Sequence, residues 1–459
     1  FTGEATIPQT ADKNWNKYDW NGGTPVLSST GDWLVNEADS LIVDTWPPIT
    51  NDNAITDELG TDVSGWTTSN ATYTQGTEFA TFSPTSAPTN GSITKTVTDA
   101  SDGDYIAYIK VGADDILGSS SIITLRNSAA GNASVGIGLG YNYATGLNEQ
   151  QRVSFGVRAG GTFVSIAGPL VDFSAAPVTC ALSYSKEHSA VSLYVLENDK
   201  WRFYGGIVTD RPSFDLFEVK SYGGALANAY VYYVLTARPN IVSVGSSITA
   251  GSNFFNPDPS TYAGVDPYNN NWQYYVPASI YPNLRNTLVV NLGVGGENTA
   301  SLDTRMTTVV STSSAQLYLI ESSANDYGAG FTQQQRTDNL TSVVAKAKAS
   351  GAHAVMFNTV YPNSNSHNFP LSAAYYKEWW VDYRGQTSAH AYIDTMQVMV
   401  DETGYLDPAY TESDGVHPNA TGYSVYGGYI ANGPSAQQIY TIDALGTAIL
   451  EPRLNTQQL

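Results

Sequence analysis

The chain has 459 residues, of which 42% are hydrophobic and 14% charged, and its net charge is −21. At about 150 residues per domain, this length predicts roughly three units or two large ones. The apolar fraction excludes a disordered polymer and a membrane protein. The 42 acidic residues against 21 basic ones argue against nucleic acid and anionic membrane surfaces, which select clustered Lys and Arg. We expect a neutral or sugar-like partner.

The single cysteine, Cys180, excludes an intramolecular disulfide framework and a Cys-based zinc site, and its apolar surroundings predict a buried thiol. The turn aspartates lack the spacing of a calcium loop and no zinc pattern occurs, so we predict no metal and no other cofactor. The sequence begins with Phe1 and has neither an initiator methionine nor a signal-peptide pattern. We therefore expect a trimmed sequence whose targeting information is missing.

Residues 1–50 form the first of three zones. They contain four tryptophans among Asn, Asp, Gly and Pro, with little periodicity: Trp15, Trp20, Trp33 and Trp46. Such a composition makes a poor independent core, so we predict an arm or neck that needs a partner surface.

Residues 51–237 form the second zone, in which short β-type runs alternate with turn residues. The runs begin at Ser92, Tyr105, Ser121, Val153, Val191 and Ala229. Their spacing of roughly 10 to 15 residues, without a helical period, predicts an antiparallel β-sandwich. No motif decides between a carbohydrate-binding module and a purely structural spacer, and both interpretations stay open.

Residues 238–459 form the third zone, where strand-like and helical runs alternate. Strands are predicted at Ile241–Val244, Thr287–Leu292, Gln316–Ile320, His353–Phe357 and Ala391–Asp394. A helix is predicted over Phe331–Ser350, because apolar residues recur at helical spacing and Gly351 follows. This alternation predicts a parallel sheet with helices on both faces, followed by a C-terminal extension.

Four segments of this zone carry groups suited to acyl transfer. Ligands bind beyond the carboxyl ends of the strands in an open α/β sheet. Three segments follow the first three predicted strands and the fourth precedes a late helix: Gly245-Ser246-Ser247, Gly293-Val-Gly295-Gly296, Ser323-Ala-Asn325 and Asp414-Gly-Val-His417. A histidine can take the proton of an exposed serine, and a carboxylate can orient the imidazole. Glycine and asparagine amides can donate to a developing oxyanion, each typically worth about 10²–10³ in rate.

These segments resemble, in order, the blocks of the SGNH hydrolases (GDSL-type esterases), over residues 239–435. The resemblance implies a three-layer α/β/α hydrolase domain that needs no cofactor. It implies Ser247 as the nucleophile, His417 as the base and Asp414 as the residue that orients it. It also implies an oxyanion hole formed by Ser247, Gly296 and Asn325.

The sequence departs from the family pattern at two positions. Ser246 replaces the aspartate that usually precedes the nucleophile, and Ser323 replaces the first glycine of the third block. Neither position has a catalytic role in the family, so activity is still expected. The departures bear on the fine structure of the oxyanion loop.

The expected substrate is an acetylated polysaccharide, from which an acyl-serine mechanism would remove O-acetyl groups. The appended β-sandwich, the Tyr-rich polar composition and the absence of a long apolar lid favour it. A polar loop after the nucleophile contains Phe254, Phe255, Tyr262 and Tyr268. These residues form either an apolar platform under a sugar ring or ordinary packing. The alternatives are lipid-ester or N-acetyl hydrolysis, or a non-catalytic glycan-binding or virion structural protein with a degenerate hydrolase domain.

The first zone also suggests a biological setting. The segment that starts with Trp20-Asn-Gly-Gly resembles the neck of bacteriophage tail spikes, which are usually trimers acting on bacterial surface polysaccharides. This resemblance implies a virion-associated homotrimer. A secreted bacterial enzyme with a carbohydrate-binding module fits nearly as well, so an extracellular location is expected in both cases.

Overall fold

The fold is described from a computed structural model of the chain. The described residues are 16–21, 24–30, 47, 49, 54–59, 64–85, 91–98, 103–114, 119–129, 134–142, 147–159, 162–223, 227–251, 271–281, 284, 287–359, 383, 386–400, 406–431, 439–442 and 448–451. Trp15, Trp33 and Trp46 lie outside them. None of the helices in these ranges combines the length and apolar character needed to cross a bilayer.

The first two zones contain strands only, apart from turns, in the ranges described. The strands are β1 (Asn16–Asn21), β2 (Thr24–Thr30), β3 (Ala54–Leu59), β4 (Thr67–Ser69), β5 (Ala71–Gln75), β6 (Ala80–Pro84), β7 (Ser92–Thr96), β8 (Tyr105–Ala113), β9 (Ser119–Arg126), β10 (Ser134–Asn142), β11 (Leu147–Ala159), β12 (Thr162–Leu170), β13 (Val178–Ser185), β14 (Ala190–Glu197), β15 (Lys200–Val208), β16 (Leu216–Gly223) and β17 (Ala229–Ala237).

The third zone mixes strands and helices. Its strands are β18 (Ile241–Gly245), β19 (Val289–Gly293), β20 (Leu317–Glu321), β21 (His353–Phe357), β22 (Ala391–Ile393), β23 (Ile439–Ile442) and β24 (Ala448–Glu451). Its α-helices are α1 (Ser247–Ala250), α2 (Thr299–Ser313), α3 (Asn325–Gly328), α4 (Gln333–Ala349), α5 (Met396–Met399) and α6 (Ala420–Ala431). Short 3-10 helices lie at Trp272–Tyr275, Ala278–Ile280 and Pro408–Tyr410.

Two antiparallel sheets pack face to face after the β1–β2 hairpin. The first sheet has the order β12-β11-β10-β9-β16-β7-β4, and the second has the order β15-β14-β13-β8-β17-β6-β5, with β3 also paired to β17. Their facing side chains form one apolar core, to which Ile123 and Phe155 contribute from the first sheet and Ile109 and Leu182 from the second. Cys180 is fully buried in this core, as predicted, and burial raises its pKa to about 12. The predicted β-sandwich is confirmed.

Strand β8 is buried on both faces, which explains its nearly continuous apolar sequence. Tyr105 and Ile109 face the sandwich core, whereas Ile106 and Tyr108 belong to a second apolar cluster. That second cluster also contains residues of the third zone, among them Leu302 of α2. One sheet of the sandwich therefore has its other face covered by the C-terminal part of the chain.

The C-terminal sheet is parallel, with the order β19-β18-β20-β21-β22. Helices α2 and α4 cover one face through residues such as Met306 and Leu340, and Trp272 and Tyr426 of the Trp272–Tyr275 turn and α6 cover the other. The predicted three-layer α/β/α arrangement is confirmed. Helix α4 begins two residues later than predicted, because Thr332 caps it and forms a reciprocal capping box with Gln335.

The hydroxyl of Tyr108 on β8 forms a hydrogen bond to the C-terminal part of the chain. It accepts a hydrogen bond of 3.0 Å from the backbone N–H of Leu288, and both groups are buried. Replacement of Tyr108 by Phe leaves that N–H without its acceptor, so we expect the free energy of unfolding to fall by about 1–3 kcal/mol. Chemical denaturation measures this loss. In Tyr204→Phe, the hydroxyl that is lost contacts the partly exposed Glu197, so a smaller loss is expected; equal losses would contradict the assignment.

Asp104 lies where the sandwich meets the C-terminal part of the chain, since its backbone N–H donates to Thr312 O. Its ionisation should make the stability of the fold depend on pH. Its side chain is fully buried, its Oδ1 accepts the N–H of Lys186 at 2.8 Å, and burial raises its pKa to about 6. A folded-state pKa above the unfolded value stabilises the fold at low pH, and this contribution is lost as the pH rises through 6. We expect wild type to lose on the order of 1 kcal/mol relative to Asp104→Asn between pH 5 and pH 7. Denaturation of both proteins at these pH values checks this; a pH-independent difference would refute it.

Candidate active site

Ser247 is the first residue of α1, directly beyond the carboxyl end of β18. The turn before it needs glycine at 245, because φ there is +155° and a Cβ would come within 2.5 Å of Glu321 Oε2. Ser246 is the N-cap of α1, and its Oγ accepts the N–H of Ile248 at 3.3 Å. The local sequence therefore presents the Ser247 hydroxyl at the edge of the sheet.

His417 and Asp414 meet Ser247 from a distant part of the chain. His417 Nε2 lies 2.8 Å from Ser247 Oγ, and His417 Nδ1 lies 2.5 Å from Asp414 Oδ2. The turn that joins them is closed by Asp414 Oδ1, which accepts the backbone N–H groups of Val416 and His417 at 2.9 and 3.0 Å. The structure thus brings together the three residues that sequence analysis predicted, in the order hydroxyl, imidazole, carboxylate.

The ionisation of Asp414 suits this geometry. Partial burial is the largest single influence and raises the pKa of Asp414, but hydrogen bonds from the imidazole and two backbone amides outweigh it. The net result is a pKa below the usual value, so this carboxyl group is ionised at neutral pH. An anion at Nδ1 favours the tautomer with its proton there, which leaves the Nε2 lone pair facing Ser247 Oγ.

Gly296 lies on the loop after β19 and Asn325 is the first residue of α3, and hydrogen bonds join these two segments to each other and to the serine turn. The N–H of Val294 donates to Gly245 O at 2.9 Å, and Asn325 Nδ2 donates to Glu297 O at 2.9 Å. Gly296 has φ +76° in a space where a Cβ would meet nothing within 4 Å, so conformation rather than crowding favours glycine. An amide nitrogen carries two hydrogens, and the bond to Glu297 O uses one of those on Asn325 Nδ2.

The serine at position 323 has a structural effect that glycine could not provide. Ser323 Oγ donates to Glu297 O at 2.6 Å and accepts the backbone N–H of Asn325 at 3.1 Å. This hydroxyl therefore connects the loop that carries Gly296 to the start of α3, where Asn325 lies. Asp326 adds a further tie, since its Oδ1 accepts the N–H of Thr299 at the start of α2, 2.7 Å away.

Sequence analysis missed two groups beneath the site. Glu321, at the end of β20, is fully buried against the serine turn and accepts hydrogen bonds from Ser246 and Thr249. Glu297 forms a two-pronged ion pair with Arg305, with N–O distances of 2.8 and 2.6 Å, and Glu187 of the sandwich lies 3.7 Å from the same guanidinium. The only local signal for Glu321 is a charged residue that closes the otherwise apolar strand Leu317–Glu321.

The aromatic residues proposed to contact a sugar ring lie outside the described residues: Phe254, Phe255, Tyr262 and Tyr268. In the part of the chain that the structure covers, no group of three or more His, Cys, Asp or Glu side chains is arranged to hold a metal ion.

Comparisons with known proteins address the C-terminal half. Residues 243–425 match the model of the GDSL-like Lipase/Acylhydrolase family. An arylesterase of Vibrio mimicus is 23% identical over 182 residues, which are 40% of this chain and 81% of that protein. The crystal structure of the psychrotrophic esterase EstA from Pseudoalteromonas sp. aligns over 42% of this chain and 94% of its own, with 20% identity and a TM-score of 0.32.

A GDSL-like lipase from Bacteroides thetaiotaomicron VPI-5482 aligns over 42% of this chain and 85% of its own, with 20% identity and a TM-score of 0.28. The family match spans all four sequence blocks, from the serine turn to the Asp414–His417 turn. The resemblance predicted from those blocks is confirmed: the C-terminal half of the chain contains a domain of the GDSL-like lipase/acylhydrolase type.

Proposed function

We propose that the protein is a serine esterase that removes O-acetyl groups from a polysaccharide. The observation that carries the esterase half of the proposal is the contact of 2.8 Å between Ser247 Oγ and His417 Nε2, which Asp414 extends at 2.5 Å. A hydroxyl, an imidazole and an ionised carboxylate in this order form the arrangement that activates a serine for attack on a carbonyl carbon.

In the first half of the reaction, Ser247 Oγ attacks the acetyl carbonyl while its proton moves to His417 Nε2. The carbonyl π electrons move to oxygen, and the resulting oxyanion accepts hydrogen bonds from the amides of Ser247 and Gly296 and from Asn325 Nδ2. Asp414 stabilises the imidazolium. Collapse of the tetrahedral intermediate breaks the bond to the sugar oxygen, which takes the proton from His417 and leaves as a free hydroxyl.

In the second half, water replaces the sugar. His417 accepts a proton from the water as its oxygen attacks the acetyl-serine carbonyl, and the same donors stabilise the second oxyanion. Collapse breaks the bond to Ser247 Oγ, which recovers its proton from His417, and acetic acid is released as acetate and a proton. One cycle consumes the acetyl ester and one water and returns Ser247 and His417 to their starting states.

The choice of a polysaccharide substrate is supported by features outside the site itself. A sandwich that packs on the catalytic domain, 31 tyrosines and a net charge of −21 are more compatible with an uncharged glycan than with an anionic lipid surface. We further propose that the protein acts outside the cell, either secreted or on a virion. A tail-spike setting entails a homotrimer, which sedimentation analysis would distinguish from a monomeric secreted enzyme.

Acetate release from a panel of acetylated bacterial polysaccharides tests both halves. We expect release from at least one glycan and its loss in Ser247→Ala, because the substituted side chain has no nucleophilic oxygen. Cleavage of small aryl acetates without release from any glycan would keep the esterase and refute the polysaccharide substrate. A wild-type protein that cleaves neither the glycans nor the aryl acetates would favour a non-catalytic binding protein. Product analysis on phospholipid and on N-acetylated glycan tests the two remaining alternatives, lipid-ester and N-acetyl hydrolysis.

Two substitutions separate the roles of the supporting residues. Asp414→Asn is expected to lower kcat by up to about 10⁴-fold, because an amide no longer holds the reactive tautomer of His417. Asn325→Ala removes one oxyanion donor and should lower kcat by about 10²–10³-fold. Steady-state kinetics on an aryl acetate measures both losses.

Asn339→Ala is the matched control for Asn325→Ala. Asn339 Nδ2 donates to Thr299 Oγ1 at 3.1 Å, so this amide also joins two elements but lies outside the triad and the oxyanion loops. We expect this variant to keep kcat near the wild-type value. Full activity of Asn325→Ala, or an equal loss in Asn339→Ala, would contradict the oxyanion assignment.

A further inference from the structure

The side chain of Glu321 contacts the residues on either side of the serine in the turn. Its Oε1 accepts the hydroxyl of Ser246 at 2.8 Å, and its Oε2 accepts the backbone N–H of Ser246 at 3.1 Å. The same Oε2 accepts the backbone N–H and the hydroxyl of Thr249, at 3.0 and 2.5 Å. One carboxyl group therefore holds both ends of the segment that carries Ser247.

All four of these contacts use Glu321 as the acceptor. The Ser246 hydroxyl oxygen already accepts the N–H of Ile248, so its own hydrogen is directed to Glu321 Oε1. A carboxylate has no donor of its own, so both oxygens can accept these hydrogen bonds, one at Oε1 and three at Oε2. Burial raises the pKa of Glu321 above its usual value, and the hydrogen bonds from Thr249 and Ser246 offset only part of that rise. A neutral amide at this position would lose part of its acceptor capacity and bring two hydrogens against donors.

The surrounding backbone is built around this carboxyl group. At Gly245, a Cβ would lie within 2.6 Å of both the Glu321 side chain and Thr249 Oγ1. On the far side of α1, Gln273 Nε2 donates to Thr249 O at 3.0 Å and to Ser243 Oγ at 2.8 Å. The serine turn is thus held between a carboxylate on β20 and an amide from the Trp272–Tyr275 turn.

The residue type at 246 fits the same arrangement. This is the position where the resembled family has an aspartate, and here the Ser246 hydroxyl lies 2.8 Å from Glu321 Oε1 with both side chains buried. A second carboxyl group at 246 would lie beside Glu321 in a buried site, and the repulsion would raise the pKa of one of the two acids so that the pair shares a proton. With serine at 246, Glu321 is the single carboxyl group of this contact.

We propose that Glu321 is a positioning residue for the nucleophile: it holds the turn 245–249 so that Ser247 Oγ meets His417 Nε2, and it supplies from β20 the carboxylate that position 246 lacks. The inference rests on the proposed function, in which Ser247 is the nucleophile. Glu321 touches no reacting atom and acts through Ser246 and Thr249.

The test is Glu321→Gln, measured on an aryl acetate and by the rate at which an organophosphonate modifies Ser247. Because a displacement of about 1 Å can cost about 10²-fold in rate, we expect kcat and the phosphonylation rate to fall together by about 10–100-fold, with KM within about twofold of wild type. Asp104→Asn, which removes a buried carboxylate far from the serine turn, is the matched control and should keep both rates.

Relocation of the charge distinguishes positioning from general loss of packing. Ser246→Asp alone should lower both rates, whereas Ser246→Asp combined with Glu321→Gln should recover at least about tenfold over Glu321→Gln, since the pair then has one carboxylate again. If Glu321→Gln does not fold, Thr249→Val is the substitute variant, because it removes only one hydroxyl donor to Glu321. We expect its phosphonylation rate to fall by about threefold to tenfold.

The outcomes separate this inference from the proposed function. A folded Glu321→Gln or Thr249→Val variant with wild-type rates would overturn the positioning role while Ser247→Ala still identifies the esterase. A folded double variant without recovery would overturn the pairing of positions 246 and 321. A wild type that neither cleaves aryl acetates nor reacts with the phosphonate would remove the proposed function and this inference with it.

Discussion

The eight-stranded sheet of the sandwich has two apolar faces, and both must be removed from water. One face packs against the other sheet of the sandwich, and the second packs against the C-terminal domain through Tyr108 and Trp201. The hydroxyl of Tyr108 and the indole N–H of Trp201 then bond Leu288 and Thr287, directly before β19. Because β19 leads into the loop that carries Gly296, the burial of the eight-stranded sheet also fixes the strand from which that loop starts.

Three carboxyl groups around the site each accept hydrogen bonds from backbone N–H groups. Asp414 accepts two backbone amides of its own turn, Asp326 accepts the first amide of α2, and Glu321 accepts two amides of the serine turn. Hydrogen bonds to an ionised acceptor are roughly twice as strong as those between neutral groups, so a carboxylate restrains the backbone N–H groups that it accepts more strongly than a neutral acceptor would. Part of the acidic excess of the chain therefore lies in hydrogen bonds to the segments around Ser247 and His417 rather than on the surface.

The sequence was informative wherever the signal was local. Short β-type runs separated by turn residues predicted the sandwich, and helical spacing predicted α4. Four short blocks predicted the segments of Ser247, Gly296, Asn325 and the Asp414–His417 turn. The Thr332–Gln335 capping box would also have corrected the start of α4. Glu321 escaped because its partners lie 75 and 72 residues away, and a glutamate that ends an apolar strand has the same local pattern whether it is buried or exposed. The bridging role of Ser323 escaped for a related reason, since Glu297 lies 26 residues earlier.

The ion pair beneath the oxyanion loop restricts how this protein could be assembled from interchangeable parts. Glu187 belongs to the hairpin between β13 and β14, and it lies on the guanidinium that also binds Glu297. A chimaera that replaced the sandwich with an unrelated module would leave Arg305 paired with Glu297 alone, and it would have to supply a new apolar cover for the residues around Leu302. The two halves are therefore expected to exchange only as a matched set, so recombination between relatives should preserve their junction even where the outer strands diverge.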